Sequence, residues 1–324
     1  MHQYPVSRLR RYRRKGVREM LTSFEIRPSR LIYPIFVDES LERKEEIKSM
    51  PGQYRHTIGE LPALCTRAGK LGIGAILLFG IPRTKDAAGT GAYSDNGVVQ
   101  RAIRMIRKKS TIPIVADLCL CEYTSSGHCG LLKNGEVDND STLDIYGRIA
   151  VSQAGAGADW IAPSGMMDGQ VGHIRRALDE AGFQDTSILS YAAKSASSFY
   201  GPFREAAGSS PSSGDRKSHQ LNYASRFEQM LEIESDIAEG ADVLLVKPAL
   251  PNLDIISRAR ERFGVPVAAY NVSGEYSMLR ASAMNGWTNY RDTVEETLVS
   301  IFRAGADIVV TYHAFEAAEW ISGK

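Results

Sequence analysis

Glu239-Gly240-Ala241-Asp242-Val243-Leu244-Leu245-Val246-Lys247-Pro248 is the stretch on which the fold turns. Its apolar run, Val243 to Val246, is too short for a helix, and near-continuous apolarity suits a strand buried on both faces. Before it, Gly ends a helix and Asp turns the chain into the sheet. The same signature precedes two other runs, as Ala156-Gly157-Ala158-Asp159 and Ala304-Gly305-Ala306-Asp307. Outward from this stretch, comparable runs lie at Leu31 to Val37, Ala75 to Phe79, Ile114 to Leu118, Trp160 to Ala162, Ile188 to Tyr191, Val267 to Tyr270 and Ile308 to Thr311. With Val243 to Val246 they make eight, and the segments between them are long enough for crossover helices, so the sheet is parallel. Eight such units favour closure over an open doubly wound sheet. The expected class is therefore α/β, a (β/α)8 TIM barrel over residues 25–324, preceded by an extended N-terminal arm over residues 1–24 with too little apolar periodicity to pack alone.

Composition suits one large globular domain or two average ones: 324 residues, 43% apolar and 24% charged. No apolar run approaches a membrane span, and no apolar segment follows the basic N-terminus as in a secretory signal, so the reading is a soluble, cytoplasmic protein without a membrane partner. The net charge of +1 hides an asymmetry. Arg8, Arg10, Arg11, Arg13, Arg14, Lys15 and Arg18 all precede the first acid, Glu19, which leaves the remaining body net acidic. A basic arm on an acidic body suits either an anionic ligand such as nucleic acid or the acidic surface of a neighbouring subunit. No base-reading motif or aromatic interleaving accompanies the arm, which weighs against nucleic acid.

The strongest chemical signal is Asp117-Leu118-Cys119-Leu120-Cys121-Glu122-Tyr123-Thr124-Ser125-Ser126-Gly127-His128-Cys129-Gly130, at the end of the third strand. Residues 119 and 121 alternate onto one side of an extended chain, and a Gly-containing loop can return Cys129 to them. Three thiolates leave one tetrahedral position of Zn²⁺ open, as in a catalytic site. His128 as a fourth ligand gives a closed Cys3His site instead, and a disulfide is the remaining alternative. Cys65, in a helical pattern, reads as a small buried apolar residue.

Two lysines form the second constellation. Lys194 follows the fifth run, in Ser190-Tyr191-Ala192-Ala193-Lys194-Ser195, and Lys247 ends the sixth. Burial disfavours a lysine's charge, and two on adjacent strands disfavour each other's, which yields neutral amines able to form imines with ketones. Each alone reads equally well as a salt-bridged core lysine. Both at one rim of one barrel point to chemistry. The same rim carries Ser164, Tyr270, Ser273 and Tyr312; of these, Ser273 and Tyr312 can donate to a carboxylate. Arg204 and Arg216 flank the stretch Gly208-Ser209-Ser210-Pro211-Ser212-Ser213-Gly214 and can clamp a second one. Residues 201–220 thus read as a cation-carrying lid or as a solvated surface loop.

Along nearly its whole length the chain resembles the porphobilinogen synthase family. The cysteine run, the Lys194 run, Ala162-Pro163-Ser164-Gly165-Met166-Met167-Asp168-Gly169, Glu239 through Pro248, Val272-Ser273-Gly274-Glu275-Tyr276 and Ser49-Met50-Pro51-Gly52 carry the likeness. The resemblance implies condensation of two 5-aminolevulinate molecules with loss of two waters, through Schiff bases to Lys194 and Lys247. It places one substrate carboxylate at Ser273 and Tyr312, and the other at Arg204, Arg216 and Gln220. Asp117 and Ser164 fall near a substrate amino end, with Tyr200, Phe203 and Tyr270 around the substrates. Cys119, Cys121 and Cys129 match the zinc-binding members, and Glu232, with Asp236 nearby, matches an allosteric Mg²⁺ site of some bacterial ones. A homo-octamer whose arm embraces a neighbour is also implied. Three positions depart from the family pattern: Gly165 for an acid, His219 and Asn252 each for a tyrosine. Two rivals remain open. A lyase with a single Schiff-base lysine leaves Lys194 and the cysteines idle, and a zinc-stabilised nucleic-acid-binding protein leaves both lysines idle.

Overall fold

Eight strands close on themselves in a computed structural model that describes residues 9–212 and 214–323. They are β1 (Leu31–Asp38), β2 (Ala75–Ile81), β3 (Ile114–Leu118), β4 (Trp160–Pro163), β5 (Ser187–Lys194), β6 (Val243–Lys247), β7 (Val267–Asn271) and β8 (Ile308–Thr311). Each pairs in parallel with the next, and β8 pairs with β1. The (β/α)8 expectation holds. All eight residues of β1 and all seven of β2 are buried, which explains why these strands read as continuous apolar runs rather than as an alternation. Burying each large aliphatic or aromatic side chain contributes roughly 1.5–3 kcal/mol, and the barrel lining with its helical coat supplies dozens of them.

The repeated Gly-Ala-Asp signature has a specific job at the bottom of the barrel. Gly157, Gly240 and Gly305 end their helices at φ 106°, 104° and 123°, where a side chain is disfavoured. Two residues later the Asp reaches sideways to the preceding strand. Asp159 accepts from the Ile114 N–H (2.6 Å), Asp242 from Ile188 (2.7 Å) and Asp307 from Val267 (3.1 Å). The backbone N–H of each Asp returns a bond to the carbonyl of the same partner. This reciprocal pair satisfies groups at the start of a strand that the ladder leaves over, so the repeat pins strand register as well as turning the chain.

The sequence reading ended the fifth run at Tyr191, but β5 continues to Lys194. The extension keeps pairing with β6 because β5 carries one extra residue: Leu244 pairs with Ser190, yet Val246 pairs with Ala193 and Lys247 with Lys194. Of the N-terminal arm, residues 1–8 lie outside the described residues. The rest forms two short helical segments, Leu9–Arg13 and Lys15–Met20, neither of which buries a residue. Among the described residues no helix is long and apolar enough to cross a membrane.

Candidate active site

Lys194 and Lys247 end adjacent strands and face the same side of the sheet, each only 5% exposed. The Lys194 amine donates to the Ser164 carbonyl at the end of β4. Around the Lys247 Nζ stand four rings: Tyr270 at 4.5 Å, and Tyr191, Tyr200 and Phe203 each at 5.1 Å. Aromatic faces favour an ammonium by about 0.5–2 kcal/mol. Burial first, then the Lys194 charge, outweighs them and pushes Lys247 down to about 7. An amine so placed is substantially free base near neutrality.

The segment expected to form a lid lies at the mouth of the barrel. Residues Gly201–Ala207 form a helix whose Phe203 sits on Phe36 of β1 (5.5 Å between rings) and Phe79 of β2 (5.0 Å). Tyr200 donates to the Ser195 carbonyl (2.8 Å), with the Lys247 carbonyl 3.1 Å away. Ser273 was expected to present a hydroxyl to a carboxylate; here it is engaged with the lid, accepting from the Phe203 N–H (3.0 Å) and facing the Phe199 carbonyl (3.3 Å). The phenol of Tyr312 lies 3.1 Å from that of Tyr270, inside the mouth. Beyond the lid helix, Arg204, Arg216 and Gln220 line one cavity of about 640 Å³, so the three residues grouped by the resemblance do converge. Phe203 and Tyr200 thus cover the Lys247 amine, while Lys194 is buried beside Tyr191.

The three cysteines also converge. Their sulfurs lie within 4.8 Å of one another, all buried, with Cys119 and Cys121 3.4 Å apart, far beyond a disulfide bond length. His128 is outside this group, which disfavours the Cys3His alternative. Hydrogen bonds from Cys119 and Cys121 hold Cys129 well below the usual thiol range, and Arg216 adds to the effect. Burial works against the charge of Arg216, but the cysteines outweigh it and keep the guanidinium protonated. A buried set of soft donors with a matched cation beside it fits a thiolate-loving metal ion. Cys65 is isolated, its thiol pushed up to about 12 by burial, as befits a core residue. Asp117, between the cysteines and the lysines, is pushed well above the usual carboxylate range by burial and then by Glu122.

The family profile described as Delta-aminolevulinic acid dehydratase matches residues 6–320. The chain is 51% identical to the delta-aminolevulinic acid dehydratase of Archaeoglobus fulgidus, over 98% of this chain and 99% of that one. Against the enzyme of the same name from Bacillus subtilis it is 50% identical over 95% of both chains. Its backbone matches the crystal structure of delta-aminolevulinic acid dehydratase (porphobilinogen synthase) from Toxoplasma gondii in complex with the reaction product porphobilinogen, with a TM-score of 0.95 and 41% identity over 98% of this chain and 92% of that one.

The chain belongs to the delta-aminolevulinic acid dehydratase family. The three positions that the sequence reading set apart, Gly165, Asn252 and His219, each have distinct surroundings. A Cβ on Gly165 would fall 1.6 Å from the hydroxyl oxygen of Tyr146, so no side chain fits there while that tyrosine is present. Asn252 is buried and donates to the Pro248 carbonyl (2.8 Å), bracing the turn after Lys247. The half-buried ring of His219 is pushed down to about 4 by burial, then by Lys194 and Arg216, and is neutral near pH 7.

Glu232 lines a second cleft of about 1080 Å³ with Asp168 and Glu228, which shares Asp215, Lys217 and Gln220 with the first. Burial, then Asp168, Glu239 and Glu228, raises it to about 7. The expected support from Asp236 is redirected: that carboxylate turns inward and accepts from the Ser190 hydroxyl on β5, where a buried serine needs a partner. Sequence reasoning passed over two residues of the site. Tyr191 lies 5.1 Å from the Lys247 amine and 5.6 Å from that of Lys194. Glu275 accepts from the N–H groups of Leu250 (2.7 Å) and Val272 (2.6 Å), tying the turn after Lys247 to the one holding Ser273. Glu275 stands in the motif Val272-Ser273-Gly274-Glu275-Tyr276, but nothing in the sequence showed which backbone groups it would hold.

Proposed function

We propose that this family member condenses two molecules of 5-aminolevulinate to porphobilinogen with loss of two waters, supplying tetrapyrrole (heme) biosynthesis, and that Lys194 and Lys247 each hold one substrate as a Schiff base. The observation that carries the reading is the level pair of buried amines in one barrel mouth. A neutral amine attacks a ketone carbonyl, the carbinolamine loses water, and the resulting iminium withdraws electrons from the adjacent carbon. One carbon–carbon bond and one carbon–nitrogen bond join the two halves.

Each side chain then has a role its surroundings support. Lys247 binds the substrate whose carboxylate meets Ser273 and Tyr312, once the lid contact of Ser273 is released. Lys194 binds the other, whose carboxylate meets Arg204, Arg216 and Gln220. Asp117, whose carboxyl burial pushes toward its protonated form, and Ser164 sit at an amino end, where such a group can donate or pass a proton. Tyr200, Phe203 and Tyr270 exclude water, which favours dehydration to the imine. Residues 201–220 act as the lid.

Cys119, Cys121 and Cys129 would hold Zn²⁺, which when bound supplies a Lewis acid that polarises and places one substrate. Glu232 would hold an allosteric Mg²⁺: burial, and after it the charges of Asp168, Glu239 and Glu228, disfavour its carboxylate, and a cation would offset both. The arm, residues 1–24, leaves Leu9, Tyr12, Met20 and Leu21 more than half exposed, with Met20 86% exposed. Apolar residues interleaved with basic ones suit the surface of another subunit, in keeping with a homo-octamer rather than with nucleic acid. Reduced metal-binding thiols suit the cytoplasm.

Borohydride trapping with 5-aminolevulinate, followed by peptide mapping, tests the assignment. Labelling at Lys194 and Lys247, with zinc-dependent pyrrole formation, is the expected result. Labelling at neither lysine refutes it.

A further inference from the structure

Tyr146 lies near the middle of the helix Asn139–Ala156 and is fully buried. Its hydroxyl donates to the backbone carbonyl of Cys129 at 2.7 Å. The same oxygen occupies the position of a Cβ on residue 165, and only glycine leaves it room. Gly165 directly follows Ser164, whose carbonyl grips the Lys194 amine and whose N–H donates to the Leu118 carbonyl (2.9 Å) just before Cys119. One phenol therefore touches the loop carrying the third cysteine and the turn that anchors Lys194.

The helix grips that loop twice. One turn before Tyr146, the Thr142 hydroxyl accepts from the Leu131 N–H (3.0 Å) and donates to the Asp138 carbonyl (2.6 Å). Residues 142 and 146 share a helix face, so Cys129 to Leu131 are held at both ends of a short segment. Such a grip matters most for Cys129. Cys119 and Cys121 continue directly from β3 and inherit its rigidity, whereas Cys129 returns on a loop and must be placed by its neighbours.

We propose that Tyr146 is a positioning residue for the metal-binding sulfur of Cys129, its phenol filling the space that a side chain at residue 165 would otherwise take. The proposal rests on the reading that the cysteine trio holds a metal ion. Removing only the hydroxyl leaves a buried carbonyl unpaired and frees the loop. Supporting interactions of this kind change metal affinity by about 10–100-fold.

The test uses the metal-stripped full-length protein and its Tyr146→Phe variant. Cobalt(II) titration reads thiolate-to-cobalt absorption, competition with a chromophoric chelator reads zinc affinity, and circular dichroism reads the fold of the metal-free protein. The expected result is zinc affinity about tenfold or more weaker, with the metal-free melting curve nearly unchanged and borohydride trapping at Lys247 retained. Gly165→Ala, which must displace the phenol while leaving the hydroxyl in the sequence, should weaken metal binding in the same direction. Parent-like affinity in Tyr146→Phe overturns the proposal. So does a loss of affinity accompanied by collapse of the metal-free fold, which makes the residue structural instead. A parent protein without any cysteine-dependent cobalt absorption overturns the metal reading itself and the proposal with it.

Discussion

Lys194 and Lys247 are register partners on adjacent parallel strands only because β5 carries one residue more than β6 between Ser190 and Ala193. Counting without that residue would place Ala193 beside Lys247 and turn Lys194 to the opposite face. The bulge therefore brings two amines into one chamber, and their closeness is part of what keeps Lys247 uncharged.

The pH dependence of imine formation follows. The reactive form of Lys247 is the free base, and its pKa is about 7. Trapping with 5-aminolevulinate should rise as pH climbs through that value and then level off; one unit below it only about a tenth of the amine is free. Lys194→Met removes the neighbouring charge that helps lower Lys247, so the curve should move to higher pH. A trapping rate that is flat across this range, or unmoved by Lys194→Met, contradicts the electrostatic account.

Replacing Lys247 should separate function from stability. Its folded pKa lies below the ordinary lysine value, so between the two the unfolded chain binds more protons and stability falls as pH drops. Lys247→Met should abolish turnover by about a thousandfold or more while raising the melting temperature, most of all at and below neutral pH. A destabilised variant would mean that the aromatic ring contacts outweigh the cost of burial.

Much of this was legible from the chain because it is local. Apolar runs flanked by Gly-Ala-Asp repeat the same physics three times, and a lysine ending such a run is conspicuous by its cost. The bulge was not legible, since Ala192 and Ala193 look the same whether or not one of them is extra. Nor was the engagement of Ser273 with Phe203, which depends on how a segment seventy residues away folds back. The orientation of Asp236 was not legible either: it stands one helical turn from Glu232, but its carboxylate accepts from the buried hydroxyl of Ser190.

Metal removal should silence the enzyme without unfolding it. The barrel closes through backbone pairing of eight strands, and the cysteines enter only at the end of β3 and in the loop after it. Chelation, or Cys129→Ser, should therefore abolish pyrrole formation while the far-ultraviolet circular dichroism stays within a few per cent of the parent, unlike small zinc domains that need the ion to fold. Cooperative unfolding on chelation would assign the site a structural role.

Ser273→Ala tests the lid contact. The lost hydroxyl accepts from the Phe203 N–H and faces the Phe199 carbonyl, at a net value of about 0.5–1.5 kcal/mol. Amide exchange over residues 199–207 should accelerate about two- to tenfold, and KM should rise because the same hydroxyl is assigned to a substrate carboxylate. Unchanged exchange with a raised KM would keep the substrate role and discard the latch.

Arg216 and Arg204 look equivalent in sequence, yet their surroundings predict different losses. Arg216 is buried, donates to the carbonyls of Gly127 (2.9 Å) and Ser209, and is kept charged by the cysteines. Arg204 is half-buried and its pKa is lowered, first by burial and then by Arg216 itself. Arg216→Gln removes a cation that faces buried thiols and unties the lid from the cysteine loop, a change of the kind that costs about 2–5 kcal/mol. Its kcat/KM should fall by at least about a hundredfold, and zinc affinity should fall with it. Arg204→Gln, whose proposed partner is a substrate carboxylate, should raise KM by about tenfold and leave zinc affinity intact. Steady-state kinetics with a chelator competition assay decides the matter, and equal effects of the two substitutions on zinc affinity would break the link drawn between Arg216 and the cysteine trio.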